Sequence, residues 1–385
     1  MKKLALLCCV MMLSGCSWMK FWESDEDKAL LPAPLVKFDE EVKLRKVWSR
    51  GAGSGQNPLH PSLVPALDGG VLYAADSDGR VYAIDAASGK ERWEQDLDKS
   101  LSGGVGVGGG LVLVGDLRGT LFALDAASGD VRWRVKLNSE LLSAPAANGQ
   151  VVVVQALDAR VVGLDAATGN ILWQYTTDAP ALTLRGTGAP LLAEGAAING
   201  FANGKVVALN PANGAVLWEN RVALPKGRTE LERIVDIDGA PVMIGDVVYV
   251  TSYQGRAAAM ARGTGRALWY QDISSNRQPA ASTDQVFISK DNDEVVALRA
   301  NSGQVLWSND KLANRTLTAP AFVGGQVVVG DAQGYLHVLS PVDGRFVGRD
   351  KVNGSGLSAP MVTDGNTLYV LANNGKVVAY RLERP

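Results

Sequence analysis

The stretch LDAATGNILW, from Leu164 to Trp173, decides the fold, because near-copies of it recur along the chain. Forty residues earlier the chain reads LDAASGDVRW, and forty before that IDAASGKERW. In each copy, the run before the aspartate alternates as a strand does, while Asp and Gly supply a tight turn. The next run ends in tryptophan, so each copy predicts a β-hairpin.

The hairpin recurs about every 40 residues over the whole chain. Copies lie at 79–93, 119–133, 159–173, 204–218, 255–269 and 293–307. A weaker copy at 334–348 has Gly348 in the tryptophan position, and the last copy, at 375–385, stops before its tryptophan. A segment led by Pro or Gly and a Val-rich strand precede each hairpin. Four strands in a repeat of this length are typical of a β-propeller blade.

Eight such blades are predicted. The eighth lacks its outer strand, and the spare strand VKLRKVW at 42–48 supplies it, which closes the ring. The sequence therefore predicts an all-β, eight-bladed β-propeller over residues 42–385, with four antiparallel strands in each blade. First strands should begin near Pro65, Gly104, Pro145, Pro190, Pro241, Pro279, Pro320 and Pro360. Packing between blades is expected of the outer-strand tryptophans Trp48, Trp93, Trp133, Trp173, Trp218, Trp269 and Trp307.

The N-terminus has the pattern of a secretion signal, with Lys2 and Lys3 ahead of about ten apolar residues. It ends in LSGC, residues 13–16, which resembles the bacterial lipobox, whose cysteine carries the lipid. We expect a signal peptide over 1–15, then lipidated Cys16 and a flexible tether up to residue 41. Ser17, by the sorting rule that this signal resembles, indicates the outer membrane and a periplasmic orientation. The alternative is an ordinary signal peptide with a chance cysteine.

Charge and cysteine content exclude several functions. The chain has 38 basic and 40 acidic residues, and loss of Lys2 and Lys3 with the signal peptide makes the balance more acidic. That argues against nucleic-acid binding, which requires a basic surface. Cys8 and Cys9 lie in the signal peptide, so only Cys16 is left after it, and no disulfide or cysteine nucleophile is expected. No metal or cofactor is predicted.

Three other patterns have simpler structural interpretations. GVGVGG at 104–109 fits the spacing of a dinucleotide site, but a strand follows it where that site needs a helix. DNDE at 291–294 lacks the alternating ligands of a calcium loop and fits a hairpin. The two histidines, His60 and His337, are far apart in the repeat order, which argues against a histidine-based metal site or triad.

The phrase D-A-x-[ST]-G-x-x-x-W resembles the repeat of pyrroloquinoline-quinone dehydrogenases. That resemblance gives the enzyme alternative, a quinoprotein dehydrogenase. Members of that class also share an adjacent cysteine pair beneath the cofactor and a set of calcium ligands. Since no cysteine pair follows residue 15, the resemblance supports the fold and not the chemistry.

Two long connections between blades are the places where function is expected, because the repeat is interrupted there. They span residues 173–190 and 218–241 and leave consecutive blade junctions on the same face, so they should be neighbours. The first contains Leu182, Leu184 and Arg185. Large apolar residues and arginine are common at the centre of protein interfaces, although the leucines could equally form a small local core.

The second connection contains Arg233, Asp236 and Asp238. These charged residues could hold the loop in place by ion pairs or could meet a basic partner. A structural role is favoured for Asp238, which adjoins the next blade. A third long connection, 48–65, is rich in Gly and Pro and offers few anchoring side chains.

The sequences LTLRG at 182–186 and RIVDID at 233–238 are similar to two loop motifs of the outer-membrane protein assembly factor BamB family. The resemblance covers the lipobox, the tether, the eight blades and both long connections. It implies a non-enzymatic scaffold lipoprotein of the outer-membrane β-barrel assembly complex, monomeric within that complex. It also implies binding to the POTRA domains of BamA, with unfolded barrel proteins as further partners. The residues that match the docking motifs are Leu182, Leu184, Arg185, Arg233, Asp236 and Asp238.

Overall fold

The computed structural model describes residues 31–56, 62–184 and 186–384. Its strands form eight antiparallel sheets of four strands each. Each sheet is one blade, and consecutive blades follow one another along the chain. The prediction of an all-β, eight-bladed propeller is confirmed. In the described part of the chain, no helix is long and apolar enough to cross a membrane.

The strands of the first four blades follow the closing strand β1 in chain order. Their bounds are β1 Lys43–Gly51, β2 Ala66–Asp68, β3 Val71–Ala75, β4 Arg80–Asp85, β5 Glu91–Asp96, β6 Leu101–Gly108, β7 Leu111–Asp116, β8 Thr120–Asp125, β9 Val131–Lys136, β10 Ala146–Ala147, β11 Val151–Gln155, β12 Arg160–Asp165, β13 Ile171–Thr176, β14 Leu191–Ala193, β15 Ala196–Gly200, β16 Lys205–Leu209 and β17 Val216–Arg221.

Blades five to eight continue the same four-strand order. Their bounds are β18 Val242–Ile244, β19 Val247–Val250, β20 Ala257–Ala261, β21 Ala267–Gln271, β22 Ala280–Ala281, β23 Gln285–Ser289, β24 Val295–Arg299, β25 Val305–Asn309, β26 Ala321–Val323, β27 Gln326–Gly330, β28 Tyr335–Leu339, β29 Phe346–Lys351, β30 Val362–Asp364, β31 Thr367–Leu371 and β32 Lys376–Glu383. The inner strands begin within three residues of the predicted positions.

The N-terminal strand closes the ring. The eighth sheet has the order β1-β32-β31-β30, so β1 is its outer strand. Its antiparallel register runs from Lys43 opposite Glu383 to Gly51 opposite Lys376. The prediction that both ends of the chain share one blade is confirmed.

Packing between blades depends on a tryptophan in seven of the eight outer strands. The side chain of Trp133 is buried, and its indole nitrogen donates to the carbonyl of Ala166 in the next blade, 2.9 Å away. In its own blade it lies opposite the small residue Ala123. Six more tryptophans make the equivalent bond, at 2.7–3.0 Å, from Trp48 to Ala86, Trp93 to Ala126, Trp173 to Pro211, Trp218 to Arg262, Trp269 to Ala300 and Trp307 to Pro341.

The repeated turn has a specific shape because the preceding tryptophan packs against it. In the turn after β12, the Asp165 carboxylate accepts hydrogen bonds from the Thr168 N–H and hydroxyl, both 2.8 Å long. Gly169 follows with φ +74°, and a Cβ there would lie 2.7 Å from the Trp133 ring. The phrase therefore specifies a hairpin turn and, at the same time, the surface on which the previous blade rests.

The two faces of the ring differ in their connections. Within each blade the chain runs up and down, so the turns between third and outer strands lie on one face, called here the turn face. The connections from each outer strand to the next inner strand lie on the opposite face. The two long connections predicted to carry function belong to this second face, called here the insertion face.

The other sequence patterns are explained by packing. GVGVGG falls mostly in β6, where a Cβ at Gly106 or Gly108 would overlap the Pro145 or Ala147 carbonyl of the next blade. These glycines therefore permit close approach of two inner strands. Asp293, in DNDE, accepts hydrogen bonds from the N–H groups of Thr316 and Leu317, each 2.8 Å long. The segment is the hairpin between β23 and β24, as expected.

Candidate functional site

Two insertions on the insertion face form the candidate site. Insertion A, residues 177–190, joins β13 to β14, and insertion B, residues 222–241, joins β17 to β18. They are in direct contact, because the Leu184 N–H of insertion A donates to the Asp236 carboxylate of insertion B, 3.1 Å away. The two connections are therefore one structural unit across consecutive blade junctions.

Insertion B starts with a tight turn that its own sequence specifies. The Glu232 carboxylate accepts a 2.7 Å hydrogen bond from the Arg228 N–H, while the Glu232 N–H donates to the Thr229 hydroxyl at 3.2 Å. The Glu232 carboxylate also accepts from the Thr229 N–H at 3.4 Å, so Thr229 and Glu232 exchange hydrogen bonds as in a capping box. Arg233 comes directly after this turn and is exposed.

The second half of insertion B is buried between blades four and five. Ile234, Val235 and Ile237 are 7%, 2% and 1% exposed. A Cβ at Gly200, in blade four, would overlap the Ile237 side chain, so that glycine makes room for it. The apolar residues of RIVDID thus anchor the insertion, and of the two aspartates beside them Asp236 is buried and Asp238 is half-buried.

Asp236 connects three parts of the site. It is 1% exposed, and besides the Leu184 N–H that its carboxylate accepts, its backbone carbonyl accepts the Tyr253 N–H at 2.8 Å. Burial raises the pKa of Asp236 to about 6, against the opposing effect of the amide donors to its carboxylate. Asp236 is therefore buried in this fold and does not face solvent.

Asp238 follows Asp236 by two residues, and the charges of the two carboxyl groups interact. Burial, and next the negative charge of Asp236, raise the pKa of Asp238 well above its ordinary value. Because two neighbouring carboxylates repel each other, one of them is favoured to hold a proton. A Cβ at Gly186 would lie 2.6 Å from the Asp238 carboxyl, so this glycine lets insertion A approach the pair.

The leucines of insertion A have different environments. Leu182 is 47% exposed, whereas Leu184, whose N–H connects insertions A and B, is half-buried. Arg185 lies outside the described residues. The structure therefore brings Leu184, Gly186, Asp236 and Asp238 together, and leaves the Leu182 side chain on the surface.

Two further apolar residues of the site were missed by sequence reasoning. Leu224 and Leu231, both in insertion B, are 53% and 68% exposed. The sequence signalled only Leu231, which stands among the polar residues of TELER at 229–233. With Leu182 they give the insertions three exposed leucines above a rigid, buried base.

A small cavity lies under insertion A. It has a volume of about 20 Å³ and is lined by Gln155, Thr187, Gly200 and Asp236 among others. The Gln155 amide nitrogen donates to the Gly200 carbonyl at 2.6 Å. This space is suited to a single water molecule. Among the described residues, no group of three His, Cys, Asp or Glu side chains is arranged to hold a metal ion.

Comparison with known proteins assigns the chain to a family. A family model described as outer membrane protein assembly factor BamB matches residues 34–99, 77–309 and 292–384. A relative of that name from Pseudomonas aeruginosa is 51% identical over 381 residues and covers 99% of each chain.

Solved structures agree with the fold. The crystal structure of BamB from Moraxella catarrhalis superposes with a TM-score of 0.81 at 31% identity, covering 88% of this chain and 100% of that one. The quinohemoprotein alcohol dehydrogenase of Comamonas testosteroni has a TM-score of 0.67 at 15% identity, covering 89% and 76%, which shows a shared fold only. From its sequence and its fold, the chain belongs to the family of the outer membrane protein assembly factor BamB.

Proposed function

We propose that this chain is a non-enzymatic scaffold lipoprotein of the outer-membrane β-barrel assembly complex. It binds the POTRA domains of BamA through insertions A and B, and it assists the delivery and insertion of barrel proteins. The names of its relatives support a role in outer-membrane protein assembly. The partner and the docking residues are inferred from the resemblance of LTLRG and RIVDID to family motifs.

The observation that carries the docking proposal is the hydrogen bond from the Leu184 N–H to the Asp236 carboxylate. It joins the two insertions, so a partner meets one preorganised surface and not two independent loops. Preorganisation lowers the entropic cost of binding. Leu182 contributes an exposed apolar side chain to that surface, and Arg185 stands three residues after it in the sequence.

The test is replacement of Leu182, Leu184 and Arg185 together by alanine. Truncation of a single hot-spot residue costs about 2 kcal/mol or more, so we expect BamA affinity to fall at least about thirty-fold. Binding is measured by titration with the isolated POTRA domains, and thermal unfolding is followed on the same preparation. Normal affinity in a folded triple variant would place the docking surface elsewhere.

A matched control separates docking from general apolar exposure. Leu172 and Leu217 are 51% and 49% exposed, like Leu182, but lie on outer strands and not in the insertions. Their replacement by alanine should leave BamA affinity unchanged. A fall in melting temperature that matches the loss of binding in the triple variant would instead identify Leu182 and Leu184 as a local core.

The anchor is the second part of the proposal. Cys16, which lies outside the described residues, is the lipidated residue that holds the protein at the outer membrane, facing the periplasm. A Cys16→Ala variant should incorporate no acyl label and should appear in the soluble periplasmic fraction. Wild-type incorporation of label into that variant would contradict the assignment.

The non-enzymatic character has its own test. A quinoprotein dehydrogenase would bind pyrroloquinoline quinone in the presence of calcium, and the adjacent cysteines of that class do not occur after residue 15. Calorimetric titration of the full propeller with quinone and calcium should give no stoichiometric binding, and a dye-linked alcohol assay no turnover. Binding at one quinone per chain would favour the enzyme alternative.

A further inference from the structure

Residues 31–42, called here the strap, lie along the outer side of blade seven. The sequence assigns residues 31–41 to a flexible tether, yet they are seated on the propeller by backbone hydrogen bonds. The Ala33 N–H donates to the Ala313 carbonyl at 2.9 Å. At the other end, the N–H groups of Glu41 and Val42 donate to the Val347 carbonyl at 2.8 and 2.9 Å.

Two arginines of the propeller hold the strap by its own carbonyl groups. Arg315 donates to the Ala33 carbonyl at 2.7 Å, and Arg349 donates to the Val36 carbonyl at 2.9 Å. Every residue has a backbone carbonyl, so these contacts do not depend on which side chains the strap carries. They determine the path of the strap and place few demands on its sequence. We call Arg315 and Arg349 the clasp.

The clasp is held in place by a buried network. Arg315, only 4% exposed, pairs with the fully buried Asp331 at 2.7 Å, and Asp331 also contacts His337 Nε2 at 2.9 Å. His337 Nδ1 accepts from Arg349 at 3.2 Å. Burial lowers the pKa of His337, which favours the neutral ring with its proton on Nε2. Buried side chains of the propeller therefore hold the guanidinium groups of Arg315 and Arg349 in position.

An aromatic contact completes the site. The rings of Phe38 and Phe346 have centroids 5.9 Å apart, and the Arg349 guanidinium lies 4.9 Å from the Phe38 centroid. Phe346 and Val347 are 6% and 2% exposed. Outer strands without a strap expose the residues just before the tryptophan position, as Leu172 does at 51%. The strap thus covers an apolar strip that other blades leave open.

The direction of the strap determines where the preceding chain leaves the propeller. Glu41 and Val42 lie near the start of β29, at the turn face, and β1 follows them. Ala33 lies against Ala313 and Arg315, in the connection from β25 to β26, which belongs to the insertion face. The chain therefore crosses the edge of blade seven and leaves on the face that carries insertions A and B.

We propose that the strap and its clasp set the exit point of the lipid-bearing chain, so that the anchored propeller turns its insertion face toward a lipid bilayer. The proposal rests on the proposed lipidation of Cys16. With the strap seated, 15 residues, 16–30, separate the lipid from the strap, and a chain of that length spans at most about 50 Å. For a flexible chain of 15 residues in general, the average end-to-end span is on the order of 20–25 Å.

That span is close to the height of a blade, since a strand of six residues is about 20 Å long. The side from which the chain leaves is therefore the side held near the bilayer. Shortening the linker also raises the effective concentration of the propeller at a membrane-bound partner, but only about twofold. The direction of the exit has the larger consequence, because a released strap would move it to the turn face.

The experiment compares two labels on opposite faces of blade one. Lys99 lies in the connection after β5, on the insertion face, and Ala87 lies in the hairpin before β5, on the turn face; both are exposed. Each is replaced by cysteine, labelled with a fluorophore, and measured in the full-length lipidated protein bound to phosphatidylethanolamine–phosphatidylglycerol vesicles that carry an acceptor dye. We expect energy transfer to be at least about twofold higher from the Lys99→Cys label.

Two strap variants test the cause. Phe38→Ala with Arg349→Ala removes the aromatic contact and one of the two clasp arginines. Phe38→Ala with Glu41→Ala alters only the strap and leaves the buried network beneath the clasp intact. In both, the difference between the labels should vanish or reverse. Lys37→Ala with Asp39→Ala changes exposed strap residues and is the matched control, with the wild-type difference expected.

Several results would overturn the proposal. Equal energy transfer from the two labels in the protein with the wild-type strap would overturn it. So would a wild-type difference between the labels in strap variants that fold normally. If neither label transferred energy to the vesicle, membrane anchoring would be refuted, and this proposal with it. BamA binding in detergent should be unaffected in the strap variants; a loss there would place the strap in the partner interface and contradict its role as an exit point.

Discussion

The indole nitrogen of Trp133 and the carbonyl oxygen of Ala166, 2.9 Å apart, connect blades two and three. Replacement of Trp133 by alanine should cost about 3–5 kcal/mol of unfolding free energy, because a buried ring and a hydrogen bond are both lost. Replacement by phenylalanine should cost about 1–2 kcal/mol, since most of the ring volume is kept. Urea unfolding measures both, with Leu172→Ala as the exposed control, expected within about 0.5 kcal/mol of wild type.

The turn glycines provide a second prediction. Gly169→Ala should destabilise the protein more than Gly195→Ala, although the two residues have nearly equal φ values of +74° and +76°. Both variants carry the strain of a left-handed conformation, about 1 kcal/mol. Only Gly169 adds a clash, because its Cβ would lie 2.7 Å from the Trp133 ring, while Gly195 has open space. Equal melting temperatures would show that the turn does not support the tryptophan.

Gly348 is the exception in the repeat, and its environment explains it. It lies opposite Val338, where the other blades place a small residue opposite a tryptophan, and a Cβ there would overlap the Val42 carbonyl. Blade eight has no turn for a tryptophan to rest on, because its third and outer strands come from opposite ends of the chain.

Gly348→Ala should therefore displace the segment that leads into β1. We expect a loss of about 1–3 kcal/mol and faster hydrogen exchange at residues 41–44. The matched control is Gly354→Ala, since a Cβ at Gly354 would meet no atom within 4 Å and its φ is not in the left-handed region. Normal exchange at residues 41–44 in the Gly348 variant would contradict this account of the closure.

The fold could be predicted because the same contacts are made at seven of the eight blade junctions. The contact repeats as a set: a tryptophan, the carbonyl that accepts its hydrogen bond and the glycine beneath its ring. Because these residues recur at a regular spacing, the repeat in the sequence predicts the repeat in the structure. The closing strand was also predictable, since only one strand was missing and only one was spare.

The strap and the acidic pair could not be predicted in the same way, because each occurs once. Phe38 and Arg349 are more than 300 residues apart, and neither belongs to a repeated pattern. Arg233, Asp236 and Asp238 stand close together in the sequence, yet Arg233 is exposed and Asp236 is buried. Only the packing of Ile234, Val235 and Ile237 between two blades determines which charges are removed from water.

The last prediction concerns the pH dependence of the acidic pair. Burial raises the pKa of Asp236 to about 6, and burial together with the charge of Asp236 raises the pKa of Asp238. A carboxyl whose pKa is higher in the folded state stabilises the fold most below its unfolded pKa, near 4. That stability is lost as the pH rises through the folded pKa, so insertions A and B should loosen as the pH rises from about 4 through about 6.

Asp238→Asn should remove much of this effect, because an amide of the same shape does not ionise. As the pH increases from 4 to 8, we expect the unfolding free energy of the variant to rise relative to that of wild type, because only wild type loses the stability of the protonated carboxyl. Urea unfolding across that range gives the difference, and hydrogen exchange at residues 182–188 reports the insertions directly. Asp284→Asn makes the same change at an exposed position of blade six and is the matched control. A flat difference for Asp238→Asn would mean that the pair is ionised in the folded protein and that another group compensates its charge.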